Sequence, residues 1–212
     1  MSVPLTLTSL PLLPISSVLF PGSVLSLSVL KARYLDMVRK CHQINAPFGA
    51  VAVASDHEEY KAKSLREYVH NIGTLAVVNQ LVEHRPGLLH VRCQGMERFR
   101  ILNHQVLPHG LWTANVEHLP TDAHVPVPYH LQRVAQALAR AGELLYIRGF
   151  NVTSYIELST SQFEDCGWVA NRWCELLPIS AEIKQQLMQL ESPLVRLEFV
   201  ARILGRMGIT AA

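Results

Sequence analysis

The sequence of 212 residues is poor in charged residues, aromatic residues and cysteine, and it has no long apolar run. Charged residues make up 17% and aromatic residues 7% of the chain, against 49% hydrophobic residues, which is typical of a folded globular protein. The formal net charge is only +2 and there is no long basic run, so we expect no DNA-binding surface. No apolar stretch reaches the roughly 18 residues of a membrane helix, so we expect no membrane partner.

The cysteines form no recognisable metal-binding or redox motif, because no two of them are spaced as C-x-x-C. They are Cys41, Cys93, Cys166 and Cys174. The amino-terminal residues lack a basic region and are interrupted by Pro4, Pro11 and Pro14, which makes a poor signal peptide. We therefore expect a cytoplasmic protein with reduced thiols.

The motifs of common enzyme classes are missing as well. The sequence has no G-x-x-x-x-G-K-[ST] loop for phosphate, no G-x-S-x-G turn for a nucleophilic serine and no H-E-x-x-H helix for zinc. Where histidines cluster, they are five residues apart (His104, His109) or six (His118, His124, His130), which puts no two on one helical face. We therefore expect no metal, no cofactor and no catalytic residue.

The pattern up to about residue 120 predicts a β-rich part. After a Phe20-Pro21-Gly22 turn, leucine and valine alternate with serine from Val24, as in a half-buried strand. An amphipathic helix is predicted next over ARYLDMVRKCHQI, whose apolar residues recur at helical spacing between Tyr34 and Ile44. Further strands are predicted at LPLLPISSVL, FGAVAVA, IGTLAVVNQLV, LLHVRC and LWTANVEHL, with SDHEEYKAKSLREY as a surface loop and Gly95 breaking the chain before MERFRIL. Many short strands joined by turns favour a small barrel or a folded-over sheet.

The remainder of the chain predicts a helical bundle. Prolines in LPTDAHVPVP suit a stiff linker, after which the apolar period becomes helical. Helix starts are predicted at Tyr129, at a capping box over Ser161-Gln162-Phe163-Glu164, at Ser180 and at Ser192-Pro193. The segment from Asn151 to Thr160 has no clear pattern. We therefore expect two subdomains, a mainly β part over 1–120 and a bundle of about four helices over 121–212.

Several of these segments stand in a characteristic order. LPLLPISSVLFPGSVLSLSV is followed by Arg33-Tyr34, which opens a helix containing Met37-Val38. FGAVAV, Gly73-Thr74-Leu75-Ala76 and Gly95-x-x-Arg98-Phe99-Arg100-Ile101 come next, and WCELLPISAEIKQQLMQLESPLVRLEFVARIL follows near the end. This order and spacing resembles the amino-terminal (substrate-binding) domain of Lon proteases over nearly the whole chain.

The resemblance implies an α+β fold, in which a PUA-like β pseudo-barrel is followed by a helical bundle. It also implies a stand-alone, non-catalytic module, without the Lon ATPase and serine-lysine protease parts, that binds polypeptide segments or a protein partner. The chain departs from the family at Val29-Leu30-Lys31-Ala32, where the family commonly has isoleucine-phenylalanine-glutamate-proline. Lys31 reverses the local charge, which puts in question any contact that the family makes through that glutamate.

The candidate peptide-binding residues are Phe20, Arg33, Tyr34, Trp112 and Trp168. Phe20 precedes a tight turn and could project from the barrel, and Trp168 lies off the apolar stripe of its helix. Exposed aromatic side chains beside a groove would suit the capture of unfolded segments. Core packing is the alternative for each aromatic residue taken singly.

Two other functions stay open. RNA binding is suggested by other PUA-like barrels and by Arg92, Arg98 and Arg100, whose even spacing could make a small basic stripe, although the low net charge disfavours it. A hydrolase using Cys93 or a histidine site is the third hypothesis, and no catalytic constellation supports it. The sequence makes no prediction about oligomeric state.

Overall fold

The computed structural model describes residues 5–54, 69–147 and 160–209. The surface loop expected over 55–68 and almost all of the unpatterned segment from 151 lie outside the described residues. Within the described ranges, no helix is long and apolar enough to cross a membrane.

The chain divides into two compact units, the barrel unit (Met1–Thr121) and the helical unit (Asp122–Ala212). The described part of the barrel unit contains β1 (Thr6–Ile15), β2 (Val24–Val29), α1 (Ala32–Gln43), β3 (Phe48–Ala52), β4 (Ile72–Arg85), β5 (Leu88–Val106) and β6 (Trp112–His118). Helix α1 is amphipathic as predicted, since one of its faces is buried.

The strands form one sheet in the order β2-β5-β4-β3-β1-β6, and β6 also pairs with β5. Strands β1 and β3 run parallel, and the other pairs are antiparallel. Strand β5 is 19 residues long, so its first part pairs with β2 and β4 while its second part, from Phe99, pairs with β6. The hydrogen-bonded ring β5-β4-β3-β1-β6 makes the barrel-like sheet that the sequence predicts and leaves β2 at its margin.

The turn over 20–23 fixes where β2 begins. The Ser23 N–H donates to the Phe20 carbonyl (3.1 Å), and Gly22 has a φ of 75°, which glycine adopts without steric cost. The Gly22 N–H donates to the Gly95 carbonyl (2.9 Å), and the Gly95 N–H donates to the Ser23 carbonyl (2.8 Å). Two residues of one strand thus oppose one residue of the other in a G1 β-bulge, which sets the register of β2 on β5.

The predicted break at Gly95 is wrong, because β5 runs through it to Val106. A Cβ atom at position 95 would lie 2.5 Å from the Phe20 carbonyl oxygen. Glycine is therefore required at this point because two backbones approach closely, and not because the strand ends.

Two groups of apolar side chains pack the barrel unit. The first, the core group of α1, places Tyr34, Met37 and Val38 of α1 against buried residues of β1 to β5. The second, the core group of Phe99, surrounds this residue with residues of β1, β3, β4, β5 and β6. Each fully buried side chain of this size contributes roughly 1.5–3 kcal/mol, so these two groups carry most of the stability of the unit.

The described part of the helical unit contains two short 3-10 helices and four α-helices. They are the 3-10 helices Tyr129–Leu131 and Thr160–Glu164, with α2 (Gln132–Ile147), α3 (Cys166–Leu176), α4 (Ala181–Gln189) and α5 (Pro193–Arg206). The predicted caps at Ser180 and Ser192 are confirmed, since their hydroxyl groups accept from the N–H groups of Ile183 (3.3 Å) and Val195 (3.4 Å).

The capping box predicted over 161–164 is wrong, because those residues belong to the 3-10 helix. Asp165 caps α3 instead, and its side chain accepts from the Trp168 N–H (2.8 Å). The same carboxylate accepts from the Val125 N–H (3.1 Å). One acidic side chain thus fixes both the start of a helix and the segment that precedes α2.

A buried arginine links the helices to Asp122. Arg196 on α5 is 1% exposed, and its guanidinium donates to both carboxylate oxygens of Asp122, with Nη2 to Oδ1 at 3.1 Å. It also donates to Asn171 Oδ1 (3.0 Å) and, through Nε, to the Leu187 carbonyl (3.1 Å). A buried charge is stable only when it is paired and hydrogen-bonded in this way.

Candidate functional site

Strand β2 lies at the margin of the sheet and, among the described residues, pairs only with β5. The Gly95–Ser23 hydrogen bond shows that the Ser23 backbone faces β5. In an antiparallel pair the backbone groups of every second residue then face away from the partner strand. These outward-facing residues are Val24, Ser26 and Ser28, and we call the row of their N–H and C=O groups the β2 edge.

The β2 edge lacks two of the features that protect exposed strands from further pairing, namely charged residues and proline. Its sequence, VLSLSV, contains no charged residue and no proline. Strand β1 differs at its margin. The Val53 N–H donates to the Ile15 carbonyl (3.0 Å), so the backbone of Ile15 faces β3 and the backbone of Pro14 faces the opposite side. Proline has no N–H, so Pro14 cannot donate a hydrogen bond to a strand on that side. The β2 edge can therefore accept another strand where the margin of β1 is blocked.

A groove of about 460 Å³, the edge groove, runs along β2 on the side of the core group of α1. It is lined by residues 13–17, residues 25–31 and Tyr34. Leu25 and Leu27 are half-buried and pack against the core group of α1. This edge groove offers apolar contacts beside backbone groups that have no strand partner among the described residues.

The opposite face of β2 opens on a second hollow of about 440 Å³, the outer hollow. It is lined by Ser26, Leu27, Ser28, Gln80, Val82, His90, Val91 and Arg92. In the register of β2 on β5, Ser26 lies opposite Arg92, and Ser28 lies opposite His90 with Oγ and Nδ1 3.2 Å apart. The lining residues described by the structure include no carboxylate, so the hollow is polar and cationic.

The five candidate residues do not share one site. Phe20 is 0% exposed, so the prediction that it could project from the barrel is wrong. Tyr34 lines the edge groove although it is only 6% exposed. The Arg33 guanidinium lies 5.0 Å from the centre of the Tyr34 ring, so Arg33 packs on a side chain that shapes the groove.

Neither tryptophan residue is among the residues that line the edge groove or the outer hollow. Trp112 is half-buried against the core group of Phe99, with its ring 5.6 Å from that of His104. Trp168, in the helical unit, contacts the Phe163 ring edge to face at 4.9 Å.

The β2 edge is the feature that the sequence-based candidates miss. The alternation of leucine and serine predicts the strand correctly, but it does not show that the strand has a partner on one side only. That property depends on pairing with residues far along the chain, such as Ser28 with His90, 62 positions away. The one available signal is the absence of charge and proline from VLSLSV.

The basic stripe predicted for RNA binding does not form. Arg98 is 6% exposed and its Nη2 donates to the Pro120 carbonyl (3.3 Å). Arg100 forms an ion pair with Glu117 (3.3 Å). Arg92 alone of the three belongs to the outer hollow, so a continuous cationic surface for phosphates is missing from the described residues.

The thiols are buried and form no disulfide. Burial raises the pKa of Cys93 to about 11, of Cys166 to about 11 and of Cys174 to about 12, and it also raises the pKa of Cys41. A thiol that stays protonated is a poor nucleophile, which argues against a hydrolase that uses Cys93. In the part of the chain that the structure describes, no three His, Cys, Asp or Glu side chains are placed to hold a metal ion.

The raised pKa of Cys93 predicts a pH-dependent contribution to stability. Its pKa of about 11 in the folded state exceeds the ordinary value of 9.0, so its contribution is complete below pH 9 and is lost as the pH rises from 9 to 11. Urea unfolding of the wild type and a Cys93→Ala variant should show the advantage of the wild type shrinking by roughly 1 kcal/mol between pH 8 and pH 10. An advantage that stays constant over this range would contradict the assignment.

The architecture is α+β, and it combines a barrel-like sheet, with β2 at its margin, and a unit of capped helices. Residues 9–206 match the family described as the ATP-dependent protease La (LON) substrate-binding domain. The chain belongs to this family, which confirms the predicted resemblance.

Individual relatives agree with the family. Lon protease of Paraburkholderia phytofirmans is 29% identical over 202 residues, which are 93% of this chain but only 24% of that protein. A crystal structure of a Lon N-terminal domain protein from Xanthomonas campestris is 27% identical, with a TM-score of 0.71, and the match covers 92% of this chain and 98% of that one. The N-terminal domain of a Mycobacterium avium complex Lon protease, at 15% identity and a TM-score of 0.61 over 96% and 98%, shows the same fold.

Proposed function

We propose that this protein is a non-catalytic module that binds extended polypeptide segments by adding them as a strand to the β2 edge. The observation that carries the proposal is the row of backbone N–H and C=O groups at Val24, Ser26 and Ser28, which have no strand beside them in the described residues. Main-chain hydrogen bonds of this kind give affinity for almost any extended segment. Membership of a substrate-binding family supports a polypeptide as the ligand.

The two cavities beside β2 support the same proposal. Side chains of an added strand point alternately to its two faces. One set would enter the edge groove beside Leu25, Leu27 and Tyr34, and the other set would enter the outer hollow. Pockets for alternate side chains are how strand-adding domains choose among segments.

A Ser26→Pro variant tests the proposal directly. Proline removes the outward N–H and places its ring on the β2 edge, whereas the bonds of Leu25 and Leu27 to β5 stay in place. Fluorescence anisotropy with a labelled extended peptide of about eight residues, the length of an ordinary strand, should show binding at least about tenfold weaker than in the wild type. Unfolded model proteins should lose binding in parallel.

Ser26→Ala is the matched control, because it removes the hydroxyl group and keeps the backbone N–H. It should bind like the wild type, and circular dichroism should show that both variants remain folded. Unchanged binding by a folded Ser26→Pro variant, or no saturable binding by the wild type up to about 50 μM, would rule out strand addition at this edge.

A further inference from the structure

We infer that the segments bound at the β2 edge alternate apolar and acidic side chains, and that Arg92 selects the acidic ones. This inference rests on the strand addition proposed above and names the ligand class of the same site. It is carried by three observations: the register of Arg92 on Ser26, the small side chains on the outer face of β2, and the charges around both cavities.

The register determines which ligand residues meet Arg92. Residues of an added strand that lie opposite Ser26 and Ser28 direct their side chains to the same face as these serines. That face is the outer hollow, where Arg92 stands next to Ser26 and His90 next to Ser28. The intervening ligand residues direct their side chains into the edge groove, beside Leu25 and Leu27. One strand therefore presents two different sets of side chains to two different cavities.

Arg92 can reach across β2 because the residue between it and the ligand is a serine. An added strand would lie two strand spacings, about 10 Å, from β5. A larger residue at position 26 would fill that space, whereas the Ser26 side chain leaves room above it. The extended side chains of an arginine and a glutamate together span this distance, and they form a charge-assisted hydrogen bond where they meet.

Among the described residues of the barrel unit, the ion pairs do not involve Arg92. Arg39 is paired with Glu83 at 2.9 Å and Arg100 with Glu117 at 3.3 Å. Arg92 is half-exposed, and no described residue forms an ion pair or hydrogen bond with it. The described lining of the outer hollow and of the edge groove contains no carboxylate. An acidic ligand side chain complements this surface, and a basic one is repelled.

The test uses three labelled peptides of about eight residues that share the same apolar positions and carry glutamate, glutamine or lysine at the alternating positions. Fluorescence anisotropy in low salt should show the glutamate peptide binding the wild type about fivefold more tightly than the glutamine peptide, with the lysine peptide weakest. Arg92→Gln should remove the preference and keep the glutamine peptide bound, and Arg92→Glu should reverse the order. Arg92→Lys should keep it, and added salt should weaken it in the wild type.

The outcomes separate the two proposals. Equal binding of all three peptides, lost together in Ser26→Pro, would overturn the acidic preference and leave strand addition standing. No binding of any peptide would overturn both. A concentration-dependent dimer that Ser26→Pro converts to monomers, without peptide binding, would assign the β2 edge to a second copy of the chain and would also overturn the inference.

Discussion

Replacing Arg196 by methionine should lower the free energy of unfolding of the helical unit by about 3–5 kcal/mol. The substitution preserves much of the side-chain volume and removes the donors that satisfy Asp122, Asn171 and the Leu187 carbonyl. The Asp122 carboxylate, 16% exposed, would then be left largely buried without its cation, and Asn171 Oδ1 and the Leu187 carbonyl would lose their hydrogen bonds from Arg196. Urea unfolding followed by helical circular dichroism measures the change, because the α-helices belonging to this cluster are α3, α4 and α5.

Arg202→Met on the same helix is the matched control for Arg196→Met. Arg202 is exposed and lies over the Phe199 ring at 5.3 Å, a contact worth at most about 1 kcal/mol at the surface. Adding Asp122→Asn to Arg196→Met should recover part of the loss, because it removes the unpaired charge. A change of less than about 1 kcal/mol in Arg196→Met would show that the cluster contributes little to the stability of the folded unit.

Short sequence motifs predict helix starts and turns correctly in this fold where each residue of the motif has a single structural role. Ser192 followed by Pro193 starts α5, because a serine hydroxyl accepts a free helix N–H and proline fits the first helical position. Phe20-Pro21-Gly22 predicts a tight turn because proline and glycine favour its two central conformations. The same reasoning predicts the wrong start for α3, because Ser161 and Asp165 are both residue types that cap helices. Asp165 is the cap in the structure, and its carboxylate also accepts from the Val125 N–H, a contact between distant residues that the local sequence does not show.

The candidate site is harder to predict because it depends on what lies beside a strand rather than on the strand itself. The sequence shows that Ser26 and Ser28 alternate with leucine, but any half-buried strand has this pattern. Whether such a strand lies inside a sheet or at its margin is decided by pairings between distant segments. Aromatic residues are misleading for a related reason. The predicted role of Phe20 required an exposed ring, whereas phenylalanine is more often buried, as Phe20 is in this structure.

Gly95→Ala is expected to destabilise the barrel unit by about 3 kcal/mol, although it adds a single methyl group. The added carbon would lie 2.5 Å from the Phe20 carbonyl oxygen and 3.0 Å from Leu19 Cγ. The first contact is with backbone, so relief requires the turn to move away from β5, and this movement breaks the hydrogen bonds of the bulge at Gly22 and Ser23. Urea unfolding, followed by the circular dichroism signal of the β-sheet, measures the loss in the free energy of unfolding.

Gly205→Ala supplies the comparison for Gly95→Ala, because a Cβ atom at position 205 meets no atom within 4 Å and the residue lies in a helix. It should be neutral or stabilising by up to about 1 kcal/mol. Gly95→Ala should in addition weaken peptide binding, since a displaced turn shifts β2 and with it the outward groups of Val24 and Ser26. If Gly95→Ala lost stability and bound peptide normally, the bulge would stabilise the fold without positioning the β2 edge.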